Sequence, residues 1–344
     1  MTDVSRMHYL KTNKGKIIGG IAFFVFGLIL GFALNKNYNP AYYPTSIRAN
    51  DKDFLYINPL LACNISENKE FAEYKPLKDL INNFVGKADP AKVQIVSLYY
   101  RDLNSGRWFS SNENELFAPA SLFKVPLMIA YLKAAESDPQ ILSQKIFYSS
   151  SSTDLNNVEH YKSPIDIISG NYYTVDDLIK SMIYYSDNNA MGLLADKMNP
   201  KYLSEVLTDI NMDLPSATGT TPASDFLTVK TYSYLFRLLY NSTYLNRQMS
   251  EKALDLLTFV DFPQGLINGV PPEIKIAQKF GERTELASGQ VAWRELHDCG
   301  IVYYPDHPYL LCVMTKGQDF DTLSSVISGI SSLVYSEVDK KYKK

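Results

Sequence analysis

The sequence predicts an α+β fold, in which one antiparallel sheet is flanked by N- and C-terminal helices and a helical subdomain is inserted between two groups of strands. Three observations predict it. Runs dense in β-forming residues occur in only two places, from Val93 to Phe109 and from Glu273 to Thr315. Helix-like patterns occupy most of the chain between them, from about Ser121 to Leu257. One amphipathic pattern precedes the first strands and another follows the last.

In chain order, residues 17–34 run through Phe23, Val25, Phe26, Leu28 and Ile29 without a charge, long enough to cross a hydrocarbon core. Arg6, Lys11, Lys14 and Lys16 stand before it against Asp3 alone, and such a flank stays on the cytoplasmic side. The expected layout is a cytoplasmic tail at 1–16, a transmembrane signal anchor at 17–34, a polar linker at 35–69 and a globular domain at 70–344. The domain would lie on the extracytoplasmic side of the cell membrane. Leu60-Leu61-Ala62-Cys63 looks like a bacterial lipoprotein site, but the apolar segment that should lie directly upstream ends near Leu34.

Phe71, Tyr74, Leu77, Leu80, Ile81 and Phe84 fall at helical spacing and predict the first helix, ending near Gly86. Val93 to Tyr100, a turn over Asp102 to Gly106, and Arg107-Trp108-Phe109 predict a hairpin. Late strands are expected at 273–280, 296–304 and 309–315, the last two joined by Pro305-Asp306-His307-Pro308. Leu323, Val326, Ile327, Ile330, Leu333 and Val334 give the closing helix one apolar face. The serine run Ser149 to Ser152 reads as a surface loop.

Composition narrows the function. Hydrophobic residues make up 46% and charged residues 21%, as in ordinary globular chains. With a net charge of −3 and no Lys/Arg block in the body, no nucleic acid is expected as partner. His8, His160, His297 and His307 show no metal spacing, Cys63, Cys299 and Cys312 no C-x-x-C, and no glycine-rich phosphate loop occurs, so neither metal nor cofactor is expected. Cys299 and Cys312 are expected as two buried thiols, a bridge between them being the alternative. His297 is expected to be a hydrogen-bonded structural residue.

Three short motifs carry chemistry. Ser121-Leu122-Phe123-Lys124 puts a serine at a helix start with a lysine three residues on, so both share one face. A serine hydroxyl is a weak nucleophile until a neighbouring base takes its proton, which a lysine does only when neutral. Thr174-Val175-Asp176-Asp177 reads as a capping box opening a helix that leads to Ser186-Asp187-Asn188, where a hydroxyl and an amide could relay a proton and hold a carbonyl. Lys279-Phe280-Gly281 closes an alternating strand, with Lys275, Ala277, Lys279 and Gly281 on one face. Each motif alone is weak; together, in this order and context, they point to a site.

On these motifs the chain resembles the class A β-lactamases and penicillin-binding serine hydrolases, from about Phe71 to the C-terminus. Looser points of likeness are Thr220-Thr221-Pro222-Ala223 and Asp298-Cys299-Gly300-Ile301-Val302. The resemblance implies that Ser121 is acylated, Lys124 acts as base and Ser186 passes a proton to the leaving nitrogen. It implies further that Asn188 holds the substrate amide, Lys279 binds its carboxylate, and the N–H groups of Ser121 and Glu282 form the oxyanion hole.

Two departures stand out. No glutamate occurs between Glu205 and Glu251, where the class A enzymes carry the residue that activates the deacylating water, and Asp209, Asp213 and Asp225 are the candidate substitutes. Phe280 replaces the usual hydroxyl residue, which leaves Gly281, Arg283 and Thr284 beside the substrate and Arg283 or Thr284 to meet its carboxylate. The expected function is therefore an acyl-enzyme-forming hydrolase acting on a small-molecule β-lactam or a peptidoglycan-like amide or ester, with slow turnover of β-lactams. The alternatives are a D-alanyl-D-alanine peptidase or penicillin-binding protein, and a wall-binding module that has lost catalysis. The sequence specifies no oligomeric state.

Overall fold

The computed structural model describes residues 46–63, 70–149, 156, 159–162, 165–212 and 225–343. The expected tail and membrane span lie outside them, as do Asp213 and Thr220 to Ala223. Among the described residues no helix is long and apolar enough to cross a membrane.

β1 (Ser46–Arg48) and β2 (Leu60–Cys63) form a small antiparallel pair. The stretch between them is docked on the domain, because the Glu251 carboxylate accepts the N–H groups of Leu55, Tyr56 and Ile57. Residues 46–63 fall within the linker that the sequence predicts at 35–69, yet part of that stretch is held against the domain. Hydrogen bonds to a distant carboxylate hold it, and an apolar period does not announce such bonds.

α1 (Lys75–Val85) starts with proline in its first turn and buries Leu77 and Ile81. β3 (Val93–Asp102) and β4 (Trp108–Ser111) form the expected hairpin. The helical insertion holds α2 (Lys124–Ala135), α3 (Val175–Tyr184), α4 (Asn188–Lys197), α5 (Pro200–Asp209), α6 (Val229–Asn241) and α7 (Arg247–Leu257), with a short pair, β5 (Lys145–Phe147) and β6 (Tyr172–Thr174). β7 (Ile276–Ala287), β8 (Gln290–Val302) and β9 (Tyr309–Gly317) complete the strands, and α8 (Phe320–Tyr342) closes the chain. The five-stranded sheet has the order β4-β3-β9-β8-β7, antiparallel throughout, so both ends of the chain build one sheet around the insertion. Phe84 of α1 lies against Gly329 of α8, which brings the two terminal helices together.

Two features place the site. α2 is apolar nearly all round, with Val125, Leu127, Met128, Ile129, Ala130 and Leu132 at most 1% exposed, so it is the central helix of the insertion. Each of the Val, Leu, Met and Ile side chains contributes ~1.5–3 kcal/mol by leaving water. Lys124 is carried into that interior at the first position of the helix. The second feature is β7, which ends the sheet order and leaves its outer backbone edge without a strand partner among the described residues.

The structure corrects two expectations here. β7 does not end at Gly281 but runs on to Ala287 and turns into β8 through Ser288 and Gly289, both at positive φ. The polar residues from Glu282 onward obscure the strand period, and pairing with β8 extends it. Cys299 and Cys312 are joined in a disulfide rather than standing as free thiols, because the register of β8 and β9 sets them directly opposite with Cα atoms 3.9 Å apart.

Candidate active site

Ser121 sits in a 3₁₀ turn, Ala120–Phe123, that runs straight into α2. Ala120, just before it, has φ of +45°, in the left-handed region a non-glycine residue avoids, so the turn is held rather than relaxed. Tyr232 of α6 donates its hydroxyl to Leu122 O at 3.1 Å. Ala118, three residues earlier, donates its N–H to Glu295 at 3.2 Å, and its carbonyl lies 3.1 Å from His297 Nε2. His297 is thus the structural residue expected.

The capping box at Thr174 and Asp177 is present and starts α3. Beyond its end Ser186 adopts φ of +56°, and Asp187 caps α4 by accepting the N–H groups of Asn189 and Ala190. The same carboxylate accepts the Ser181 hydroxyl at 2.9 Å and Ile167 N–H at 3.0 Å. Ser186 is pinned between two helix ends and aimed inward.

Lys124 Nζ lies 2.7 Å from Ser121 Oγ, 2.9 Å from Ser186 Oγ and 2.6 Å from Asn188 Oδ1, and it also meets the Ser186 carbonyl. From β7, Lys279 Nζ reaches Ser186 Oγ at 3.0 Å and Phe280 O at 2.8 Å. Gly281 lets the strand approach the Ser121 turn: a Cβ there would come within 3.0 Å of the Leu122 side chain, 3.1 Å of Leu122 N and 3.2 Å of Pro119 O. Ser121, Lys124, Ser186, Asn188, Lys279 and Gly281, from three separate segments, therefore meet in one place.

Burial controls the charges. Lys124 is fully buried, and loss of water pushes its ammonium down to about 8, while Glu159, Asp187 and Glu282 partly oppose the shift. Burial, followed by repulsion from Lys124, holds Lys279 well below the usual lysine range. Two buried amines that share one hydroxyl thus favour the loss of a proton from one of them.

The sequence reading missed Glu159 and the side chain of Glu282. Asn188 Nδ2 donates to Glu159 Oε1 at 2.5 Å, and Asn156 accepts Asn188 N–H at 2.7 Å. The Glu282 carboxyl, expected only as part of a backbone donor, accepts His160 N–H at 3.1 Å and Tyr161 N–H at 2.8 Å. Burial and hydrogen bonding to Glu159 raise it to about 8. Tyr161 packs edge-on against Phe262, Phe280 and Phe320. Residues 159–161 therefore lie against Glu282 of β7 and Asn188. Only a search ahead of Ser186 would have found Glu159, and its neighbours form no motif.

Arg283, Thr284, Asp209 and Asp225 fall outside their expected roles, while Phe280 packs in the core. Phe280 stacks on Phe262 with ring centroids 4.1 Å apart, as its strand period implied. Arg283 is engaged by Asp225 at 2.8 Å and by Glu285, so its charge is already met and it is not free for a substrate carboxylate. Thr284 is exposed, and strand alternation puts it on the opposite face of β7 from Arg283. Of the proposed glutamate substitutes, Asp225 is held by Arg283 and Lys316, and Asp209 accepts the Tyr244 hydroxyl.

A family model described as the β-lactamase enzyme family matches residues 76–338. Among solved structures, one of PBP-A is 19% identical with a TM-score of 0.63, covering 80% of this chain and 100% of that one. A β-lactamase from Xanthomonas campestris pv. campestris is 20% identical with a TM-score of 0.62, over 76% of this chain and 98% of that one. A class A β-lactamase from Mycobacterium abscessus is 20% identical with a TM-score of 0.61, over 76% and 99%. At these identities the likeness establishes the fold. No curated protein matches the chain.

Proposed function

The chain belongs to the β-lactamase enzyme family, hydrolases that work through an acyl-enzyme, and from that premise we propose that Ser121 is the nucleophile and Lys124 the base that activates it. The observation that carries the proposal is a buried lysine amine 2.7 Å from Ser121 Oγ and 2.9 Å from Ser186 Oγ. Neutral Lys124 takes the Ser121 proton as Oγ attacks the substrate carbonyl. The N–H groups of Ser121 and Glu282 stabilise the oxyanion, an effect worth about 2.7–4 kcal/mol per donor in such sites. As the tetrahedral species collapses, Ser186 Oγ, which touches both lysines, delivers the proton to the leaving nitrogen. Asn188 holds the substrate amide once Glu159 releases it, and Lys279 binds the carboxylate.

Deacylation is slow on this reading, so the chain behaves more as a penicillin-binding protein or D-alanyl peptidase than as an efficient β-lactamase. Three observations favour it: no glutamate between Glu205 and Glu251, Phe280 turned into an aromatic cluster, and Arg283 held by acids. The apolar, charge-free stretch 17–34 with its basic flank supports a single membrane anchor with the catalytic domain outside the cell. Gel labelling with a fluorescent penicillin tests the proposal. A band absent in Ser121→Ala supports the enzyme, and no band in wild type would favour a wall-binding module. Nitrocefin turnover at the rate of efficient β-lactamases would contradict slow deacylation.

A further inference from the structure

The two N–H groups proposed for the oxyanion hole, on Ser121 and Glu282, come from segments far apart in the chain, and a side-chain network, buried at one end and half-buried at the other, joins those segments. Glu295 and His297 on β8 are both fully buried. Glu295 Oε2 accepts Ala118 N–H at 3.2 Å, and His297 Nε2–H donates to Ala118 O at 3.1 Å. One strand thus grips both polar groups of the residue three before Ser121. On its other side Glu295 pairs with Lys316 at 3.1 Å, Lys316 with Asp225 at 3.2 Å, and Asp225 with Arg283 at 2.8 Å. Arg283 directly follows Glu282.

Arg283, Glu295 and Lys316 are register partners across β7, β8 and β9, so the charged row is fixed by the sheet itself. The network closes on the nucleophile segment a second time, because Phe117 is bridged to Leu227, two residues beyond Asp225. Phe117 also sets its ring edge-on to His297 with centroids 5.2 Å apart. His297 Nδ1 is buried with no hydrogen-bond partner, so the ring engages its surroundings through Nε2, which meets Ala118 O and lies 3.8 Å from Glu295 Oε2.

We infer that Glu295 and His297 are positioning residues that hold the Ser121 and Glu282 N–H groups at the spacing an oxyanion requires, by gripping Ala118 and, through Lys316 and Asp225, Arg283. The inference rests on the acyl-enzyme reading of the site. Oxyanion donors act by being placed in advance, so loosening the grip weakens binding of the transition state more than binding of the ground state.

The test measures the acylation rate constant and the non-covalent Kd for penicillin in His297→Ala, His297→Gln and Glu295→Ala, with affinity for a phenylboronic acid whose tetrahedral adduct places an oxygen in the hole. The two alanine variants are expected to lose at least about tenfold in rate and in boronate affinity, with Kd within about threefold of wild type. His297→Gln, which keeps a side-chain N–H, recovers most of the loss. If the alanine variants do not fold, Asp225→Asn carries the same measurement from the far end of the network, with a loss of about threefold or more. Variants that acylate at the wild-type rate, or lose rate with no matching loss of boronate affinity, overturn the inference while leaving the acyl-enzyme reading intact. Wild type that takes up neither penicillin nor boronate overturns both.

Discussion

If Lys124 is the base, acylation must follow its deprotonation, and the structure sets the pH at which that happens. Burial brings the amine from an ordinary lysine value of 10.5 down to about 8. The neutral fraction at pH 7 is then about 9%, against roughly 0.03% for an unperturbed lysine, a gain of about 300-fold in usable base. Raising the pH from 7 to 9 takes the neutral fraction to about 90%, so the acylation rate constant should climb about tenfold and level off above pH 9. Glu282 also titrates near 8, and Glu282→Gln removes that group, while comparison with Lys279→Ala separates the rise due to Lys124 from any due to the second buried amine. The assay is single-turnover acylation by a chromogenic cephalosporin from pH 6 to 10. A profile flat in Glu282→Gln, or one whose midpoint lies near 10.5, would refute Lys124 as the base. Lys124→Ala should acylate about 10³-fold more slowly at pH 9 and should lose the rise between pH 7 and 9.

Other consequences follow from the same geometry. The Glu282 proton is held in the folded state to about 8 but released from the unfolded chain near 4.5, so this group stabilises the fold most at low pH and the benefit is lost as pH rises through 8. Glu282→Gln should therefore show a shallower fall in Tm between pH 5 and 8 than wild type, and an equal slope would contradict the shift. The same substitution weakens the hold on His160 and Tyr161, and hydrogen exchange at those two amides should accelerate; unchanged protection would mean that the carboxyl does not anchor them. Gly281→Ala forces a Cβ to within 3.0 Å of Leu122 and pushes β7 from the nucleophile turn, with an expected loss of about tenfold or more in acylation rate. Replacing both Cys299 and Cys312 by serine removes a cross-link spanning 13 residues, expected to cost about 2–4 kcal/mol in denaturant unfolding while leaving acylation within about twofold.

The architecture and the three motifs were legible because both are written in local signals. Helical spacing at Leu77 and Ile81, β-rich runs at Val93 and Leu310, and the capping box at Thr174 each depend on neighbours a few residues away. The serine and lysine one turn apart needed no more than helix geometry. What escaped the sequence depends on partners brought together by the fold. Arg283 looked free until β7 and β8 were in register and Asp225 approached. Cys299 and Cys312 looked like ordinary buried thiols until β8 and β9 set them opposite. Glu159 carries no motif, and its meeting with Asn188 arises from a loop whose course no periodicity encodes. The charge state of Lys124 likewise comes from burial by the whole insertion.

The central claim is a covalent bond to one hydroxyl, and time-resolved intact-mass spectrometry of the full-length chain during and after exposure to penicillin G tests it most directly. The mass should rise by that of the whole antibiotic, peptide mapping should put the increment on Ser121, and the adduct should outlast removal of free drug by many minutes. No mass change, or an increment on any other residue, would contradict the account.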